Sequence, residues 1–114
     1  MTNPGTFLRR LFETAVNAAA PHHVVGPYLP SPPVGRTVVV GAGKAAAAMA
    51  SAVETAAPGP MEGIVVTRYG HDAPCHSIDV VEAGHPIPDA IGQTTAQRLL
   101  RLAKSLTPND LLLC

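Results

Sequence analysis

Aromatic residues are scarce: there is no tryptophan, and two phenylalanines and two tyrosines make up 4% of the chain. Any core must be assembled from alanine, valine, leucine and isoleucine. Net charge is also missing, since eight basic side chains cancel eight acidic ones. That balance argues against a broad nucleic-acid or anionic-membrane footprint and confines any role for charge to a local site. Two cysteines, Cys75 and Cys114, make no disulfide framework, so a reducing compartment is the simpler expectation. No apolar run approaches the ~20 residues that span a bilayer. Arg9-Arg10 is not expected to open an export signal, because Glu13 and Asn17 interrupt the apolar stretch that would follow and Pro21 sits awkwardly for cleavage. The expectation is a cytoplasmic protein whose 114 residues form one small domain, burying roughly two-thirds of its unfolded surface.

The patterning that is present alternates between helix and strand. In "NPGTFLRRLFETAVNAAA" (3–20) the residues Phe7, Leu8, Leu11, Phe12, Ala15, Val16 and Ala19 recur at helical spacing, with Asn3 placed to cap and Pro4 suited to the first turn. This is an amphipathic helix expected to dock on something, with Arg9 and Arg10 on its solvated face. "PHHVVGPYLPSPPVG" (21–35) holds five prolines and two glycines and predicts an extended connector. Its His22-His23 pair has no further metal ligands at suitable spacing. A short buried strand, "RTVVVG", leads through a glycine turn into a helix over 43–57, where six of the eight residues from Ala45 to Ala52 are alanine. "GIVVTR" (63–68) and "SIDVVEA" (77–83) are strands, separated by a polar loop. "DAIGQTTAQRLLRLAKSL" (89–106) is a helix, with Asp89 at its positive end and Arg98, Arg101 and Lys104 toward its negative end. "DLLLC" opens a fourth strand. Nearly all-apolar strands interleaved with helices predict an α/β fold: a Rossmann-like, mostly parallel sheet flanked by helices. With no helix between the second and third strands, that pairing is either antiparallel or joined by an irregular crossover. The last strand lacks a covering helix, so the sheet reads as truncated.

The chain has two lysines, and one of them, Lys44, stands in "VVVGAGKAAAAMA" (38–50) at the mouth of a strand-to-helix turn. The first amides of a helix lack intrahelical partners and carry about half a positive charge between them. Gly41 and Gly43 allow a ligand to approach the backbone, which makes a phosphate-type anion site that Lys44 would reinforce. A Walker A loop is excluded, since Val38 stands where its first glycine belongs and Ala45 follows the lysine. The dinucleotide fingerprint fits as Gly41, Gly43 and Ala46. However, the second strand ends in Thr67-Arg68 instead of the acid that holds a ribose, so Arg68 would have to accept a 2′-phosphate. From this turn alone, glycines that merely permit close helix–strand packing remain an equal alternative.

A second motif, "EAGHPIPD" (82–89), is stiffened by two prolines and leaves His85 and Asp89 at the carboxyl end of a strand, where open α/β sheets bind ligands. By itself it could be a turn with a helix cap at Asp89. Taken with "VVVGAGKAAAAMA" and "GIVVTRYGH", it resembles the amino-terminal part of the glycerate 2-kinase family, many of whose members carry the older label hydroxypyruvate reductase. The resemblance runs through nearly the whole chain.

That resemblance implies that residues 1–114 are the amino-terminal portion of a Rossmann-like large domain, with the smaller carboxyl-terminal domain and the rest of the cleft absent. It implies transfer of the γ-phosphoryl of ATP to the 2-hydroxyl of D-glycerate with Mg2+. Lys44 would be the catalytic residue, and Gly41, Gly43, His85 and Asp89 would bind substrate or phosphate. Members are several times longer, so a catalytically inert fragment is expected. Two other readings stay open. One is an NADP-linked hydroxypyruvate reductase resting on the glycine fingerprint and Arg68. The other is a non-catalytic partner that self-associates through its free last strand. His71, Cys75 and His76 in "YGHDAPCH" lack a fourth ligand and are not expected to hold a metal.

Overall fold

The structure, a computed structural model, describes residues 3–114. Four strands, β1 (Thr37–Ala42), β2 (Glu62–Arg68), β3 (Ile78–Ala83) and β4 (Leu111–Leu113), form one sheet in the order β3-β2-β1-β4. Every pairing is parallel, with Val40 opposite Ile64, Val65 opposite Val80 and Val38 opposite Leu112. In a strand, consecutive side chains point to opposite faces. Val38 and Val39 are nevertheless 0% and 4% exposed, so both faces of β1 are covered. That is what a continuous valine run encodes.

Each face has its own helix. α3 (Ala46–Ala56) packs on the face that carries Val39, Val65 and Ile78, and its Ala50 and Val53 complete that core. Its buried residues are small, which lets the helix axis come close to the sheet. α4 (Ala90–Lys104) lies on the opposite face. There Arg98 pairs with Asp79, and Gly92 sits over Ala83, closely enough that an added Cβ would lie 3.6 Å from the alanine methyl. Residues are tied at the amino ends of the strands by Arg36. Its guanidinium reaches Glu62 at 2.9 Å and the Ser105 carbonyl at 3.0 Å, and its amide donates to Asp110 at 2.7 Å.

Two local expectations are corrected, and one open alternative is decided. The α3 helix starts at Ala46, not at residue 43, because Gly43 has φ +132°, which no helix accommodates. The proline-rich stretch 21–35 is not simply extended. It contains α2 (Pro21–Val24) and a 3-10 turn (Gly26–Tyr28), since Pro21 and Pro27 occupy first-turn positions where a fixed φ favours helix. Its Val25 and Leu29 pack against the α3-face core. β2 and β3 are joined by an irregular crossover at 69–77, and the pairing is parallel.

A carboxylate takes the place of the missing crossover helix. Glu54, in the last turn of α3, accepts the amides of His76, Ser77 and Ile78 at 2.8, 2.7 and 2.7 Å. Partial burial pushes the Glu54 carboxyl up, but these three amides outweigh it and hold the group below its ordinary value. An acid is normally unfavourable near a helix carboxyl end. Here the three donors offset that cost and set where β3 begins.

The first helix, α1 (Pro4–Ala18), is capped by the Asn3 side chain as expected, but buries no residue. Phe7, Leu8, Leu11 and Phe12 are 54%, 63%, 52% and 69% exposed. Its stripe exists, and among the described residues nothing covers it.

Candidate functional site

The chain steps outward from β1 through β2 to β3, and then α4 carries it back across the sheet to β4 on the other side of β1. The strand order therefore reverses at β1, and a crevice lies there at the carboxyl edge between the start of α3 and the end of β4, the position at which open parallel sheets bind ligands. The residues that leave β1 into this crevice are Ala42, Gly43 and Lys44.

Gly43 makes the turn. Its amide donates to the Val66 carbonyl at 3.0 Å and its own carbonyl accepts the Ala46 amide at 3.1 Å. Nothing lies within 4 Å of the place a Cβ would occupy, so its φ of +132° is the reason for glycine here. Gly41 is different, because an added Cβ would meet Val65 Cγ1 at 3.4 Å and Ala46 Cβ at 3.9 Å. A methyl at Gly41 would thus meet Val65 and Ala46 at ordinary van der Waals distance where α3 rests on the sheet.

Among the helices of more than one turn, only α3 starts without a side-chain cap. α1 is capped by Asn3 and α4 by Asp89, whereas the residue at the cap of α3 is Ala45, which has no side-chain oxygen to offer. The start of this 11-residue helix therefore opens on the crevice without a side-chain cap, its first amide, that of Ala46, being held by the Gly43 carbonyl. Lys44 is exposed beside it and, among the described residues, makes no ion pair. A lysine without a carboxylate, next to amides without a cap, leaves the site's positive charge uncompensated.

A cavity of about 1010 Å³ occupies the crevice. Gly41, Gly43, Lys44 and His85 line it together with Val25, Leu29, Met49 and Leu113, in a wall that is mostly apolar. The structure therefore brings together four of the five residues singled out in the sequence. The fifth, Asp89, does not line the cavity, and its carboxylate is bonded within the fold. Oδ1 accepts the Gly92 amide at 2.9 Å, while Oδ2 accepts the Gly84 amide at 2.9 Å and the Tyr69 hydroxyl at 2.8 Å. The Gly92 amide and the Tyr69 hydroxyl hold the Asp89 carboxyl below its ordinary value, and the same bond to Asp89 raises the Tyr69 phenol.

Val24, Val25, Tyr28 and Leu29 line the cavity too, although the prolines around them make the segment read as linker. The signal that could have found them is their apolar character, which a solvated connector has no use for. Arg68 ends β2 but is not part of the cavity wall. No aspartate or glutamate side chain lines the cavity. Mg2+ is held by carboxylates together with substrate phosphates, so the described residues fit an anion and do not by themselves fit that metal. Among the described residues no group of three or more His, Cys, Asp or Glu could hold a metal, which covers His71, Cys75 and His76. No helix among them is long and apolar enough to cross a membrane.

Comparison with known proteins extends these observations. Residues 7–114 match the model of a family described as a domain of unknown function, DUF4147. Over 105 residues the chain is 50% identical to a putative hydroxypyruvate reductase of Agrobacterium vitis, covering 91% of this chain and 24% of that protein. It is 36% identical over 105 residues to a D-glycerate 2-kinase of Thermotoga maritima, covering 90% of this chain and 25% of that one. The crystal structure of a glycerate kinase from Thermotoga maritima superposes with a TM-score of 0.73 at 31% identity, over 88% of this chain and 25% of the other. The chain spans about a quarter of the length of these relatives.

Proposed function

This chain belongs to the DUF4147 family, and from that premise we propose that it forms the anion-binding wall of an ATP-dependent glycerate 2-kinase. In this reading it is the amino-terminal portion of a Rossmann-like large domain, and the opposite wall of the cleft comes from polypeptide outside these residues. The observation that carries the proposal is the pairing of an unopposed Lys44 with the uncapped start of α3 on one cavity. Relatives named glycerate 2-kinase give the anion its identity.

The names of the relatives supply the reaction, and the geometry is consistent with it. In phosphoryl transfer the bond from the γ-phosphorus to the β-bridging oxygen breaks as a bond to the 2-hydroxyl oxygen of D-glycerate forms. The hydroxyl gives up its proton, and 2-phosphoglycerate and ADP are the products. Catalysis of such a step is mostly positioning and charge neutralisation. Lys44 and the α3 amides supply a fixed positive field, strongest where water is thin, to either a phosphate of ATP or the glycerate carboxylate. Gly41 and Gly43 let that group reach the backbone. His85 approaches from the β3 side with a donor or acceptor for the same ligand. When bound, Mg2+ would travel with the nucleotide's phosphates.

One wall of a cleft binds without turning over. The chain is therefore expected to bind ATP or D-glycerate weakly, to lose that binding in Lys44→Ala, and to release no ADP when given both. Calorimetric titration and a coupled ADP-release assay measure this. Turnover that disappears in Lys44→Ala would overturn the inertness and keep the kinase chemistry. Absence of binding to both ligands would overturn the reading itself.

A second reading has specific support. The fingerprint Gly41, Gly43 and Ala46 lies on a sheet of order β3-β2-β1-β4, the arrangement of dinucleotide-binding halves, and a relative is named a putative hydroxypyruvate reductase. Against it, the residue that would hold the 2′-phosphate, Arg68, is not on the cavity. Saturable NADPH binding with none for ATP would favour the reductase.

A further inference from the structure

Two loops leave the carboxyl edge of the sheet side by side, and two carboxylates brace them together. The loop after β2 carries Tyr69 and Gly70, and the loop after β3 carries Gly84 to Asp89. The Tyr69 hydroxyl donates to Asp89 Oδ2 at 2.8 Å, and that same oxygen accepts the Gly84 amide at 2.9 Å. One residue further along, the Gly70 amide donates to Glu82 at 2.6 Å. The turn between is tight: a Cβ on Gly84 would stand 2.5 Å from the Ile87 carbonyl oxygen. His85 is the residue caught inside this arrangement, with a hydrogen-bonded amide before it and Pro86 after it. It is exposed, and it lines the cavity shared with Lys44.

We propose that Tyr69 is a positioning residue for His85, acting through the Asp89 carboxylate and the Gly84 amide. The inference deepens the kinase reading, since it rests on His85 facing the ligand. It gives Asp89 the role of a brace in place of ligand contact. An aspartate serving only as helix cap would need the Gly92 amide and nothing more. Its second oxygen is shared between a side chain of another loop and the amide next to His85, which is what fixing a loop requires. A histidine held from both sides is presented without the ordering cost a free loop meets on binding.

Tyr69→Phe removes the hydroxyl alone, and because Tyr69 is 52% exposed the chain folds without it. In the ligand-free protein, the backbone order parameter at His85 is expected to fall from about 0.85 toward 0.6. Amide exchange at Gly84 should speed by about tenfold, the change that goes with one ordinary hydrogen bond, while Gly92 and the strands stay as they were. Asp89→Asn should produce the same loosening at His85. Unchanged order at His85 in both variants would overturn the proposal.

Titration with D-glycerate and with ATP supplies the second arm. His85→Ala and Tyr69→Phe should each weaken the ligand that binds, and the double variant should be no weaker than His85→Ala alone, since both act through one group. Additive losses would sink the inference and leave the anion site standing. Should neither ligand bind the wild-type chain, the kinase reading falls, while order at His85 still decides whether Tyr69 positions it.

Discussion

Gly43 and Lys44 are neighbours with separable roles. Gly43 serves the backbone: φ +132° is open to glycine and strained for any L-residue, and there is empty space where a Cβ would go. Gly43→Ala should therefore destabilise the chain by about 1–3 kcal/mol through strain alone, read as a lower melting temperature in calorimetry. Lys44 serves the ligand. Its side chain makes no hydrogen bond or ion pair among the described residues, and the Thr67 hydroxyl bonds only its backbone carbonyl, so Lys44→Ala should change stability by no more than about 0.5 kcal/mol while abolishing anion binding. A large stability loss in Lys44→Ala would mean the lysine is structural. Gly43, Lys44 and His85 were legible in the sequence because glycine turns and proline-stiffened motifs have local causes. The engagement of Asp89 was not, since its partner Tyr69 lies 20 residues away and no local pattern reports a cross-loop bond.

Secondary-structure elements contribute unequally to the fold. Val65, 1% exposed at the centre of the α3-face core, should cost about 2 kcal/mol on truncation to alanine, from lost burial and the cavity left behind. The apolar stripe of α1 gives the opposite expectation. Leu11→Glu and Phe12→Glu should shift the denaturant midpoint by an amount worth less than about 0.5 kcal/mol, because these side chains are already in solvent. A loss comparable to that of Val65→Ala would show that α1 packs on the body in solution. Periodicity identified α1 correctly as amphipathic, but a hydrophobic stripe states a need for a partner and does not say where one is.

Taken across the whole domain, three carboxylates stitch segments far apart in sequence: Glu54 the 69–77 crossover, Asp89 the two ligand-side loops, and Asp110 the amino ends of β1 and β4. The Arg36 and Thr107 amides, with Arg36's charge, hold the Asp110 carboxyl below its ordinary value, as the other two are held by their own donors. Each folded-state value is lowered, so each contribution is fully present above the unfolded value of about 4 and is lost as pH falls through the folded one. Stability should thus be flat from neutral pH down to about 4 and decline below it. Glu54→Gln should flatten that fall and lower stability at pH 7, as denaturant unfolding at several pH values would show. An unaltered slope would remove Glu54 from the set.

Local chemistry in the sequence determined the alternation of strand and helix, the parallel α/β class, the capped starts at Asn3 and Asp89, and the glycine turn that presents Lys44. Each of these follows from forces acting between residues a few positions apart. Only the tertiary structure decided that β2 pairs parallel to β3 without a helix, that the proline-rich segment helps line the cavity, and that Tyr69 reaches Asp89. Those outcomes depend on which side of the sheet the chain returns to, and that choice is made by packing and hydrogen-bond satisfaction among residues distant in sequence.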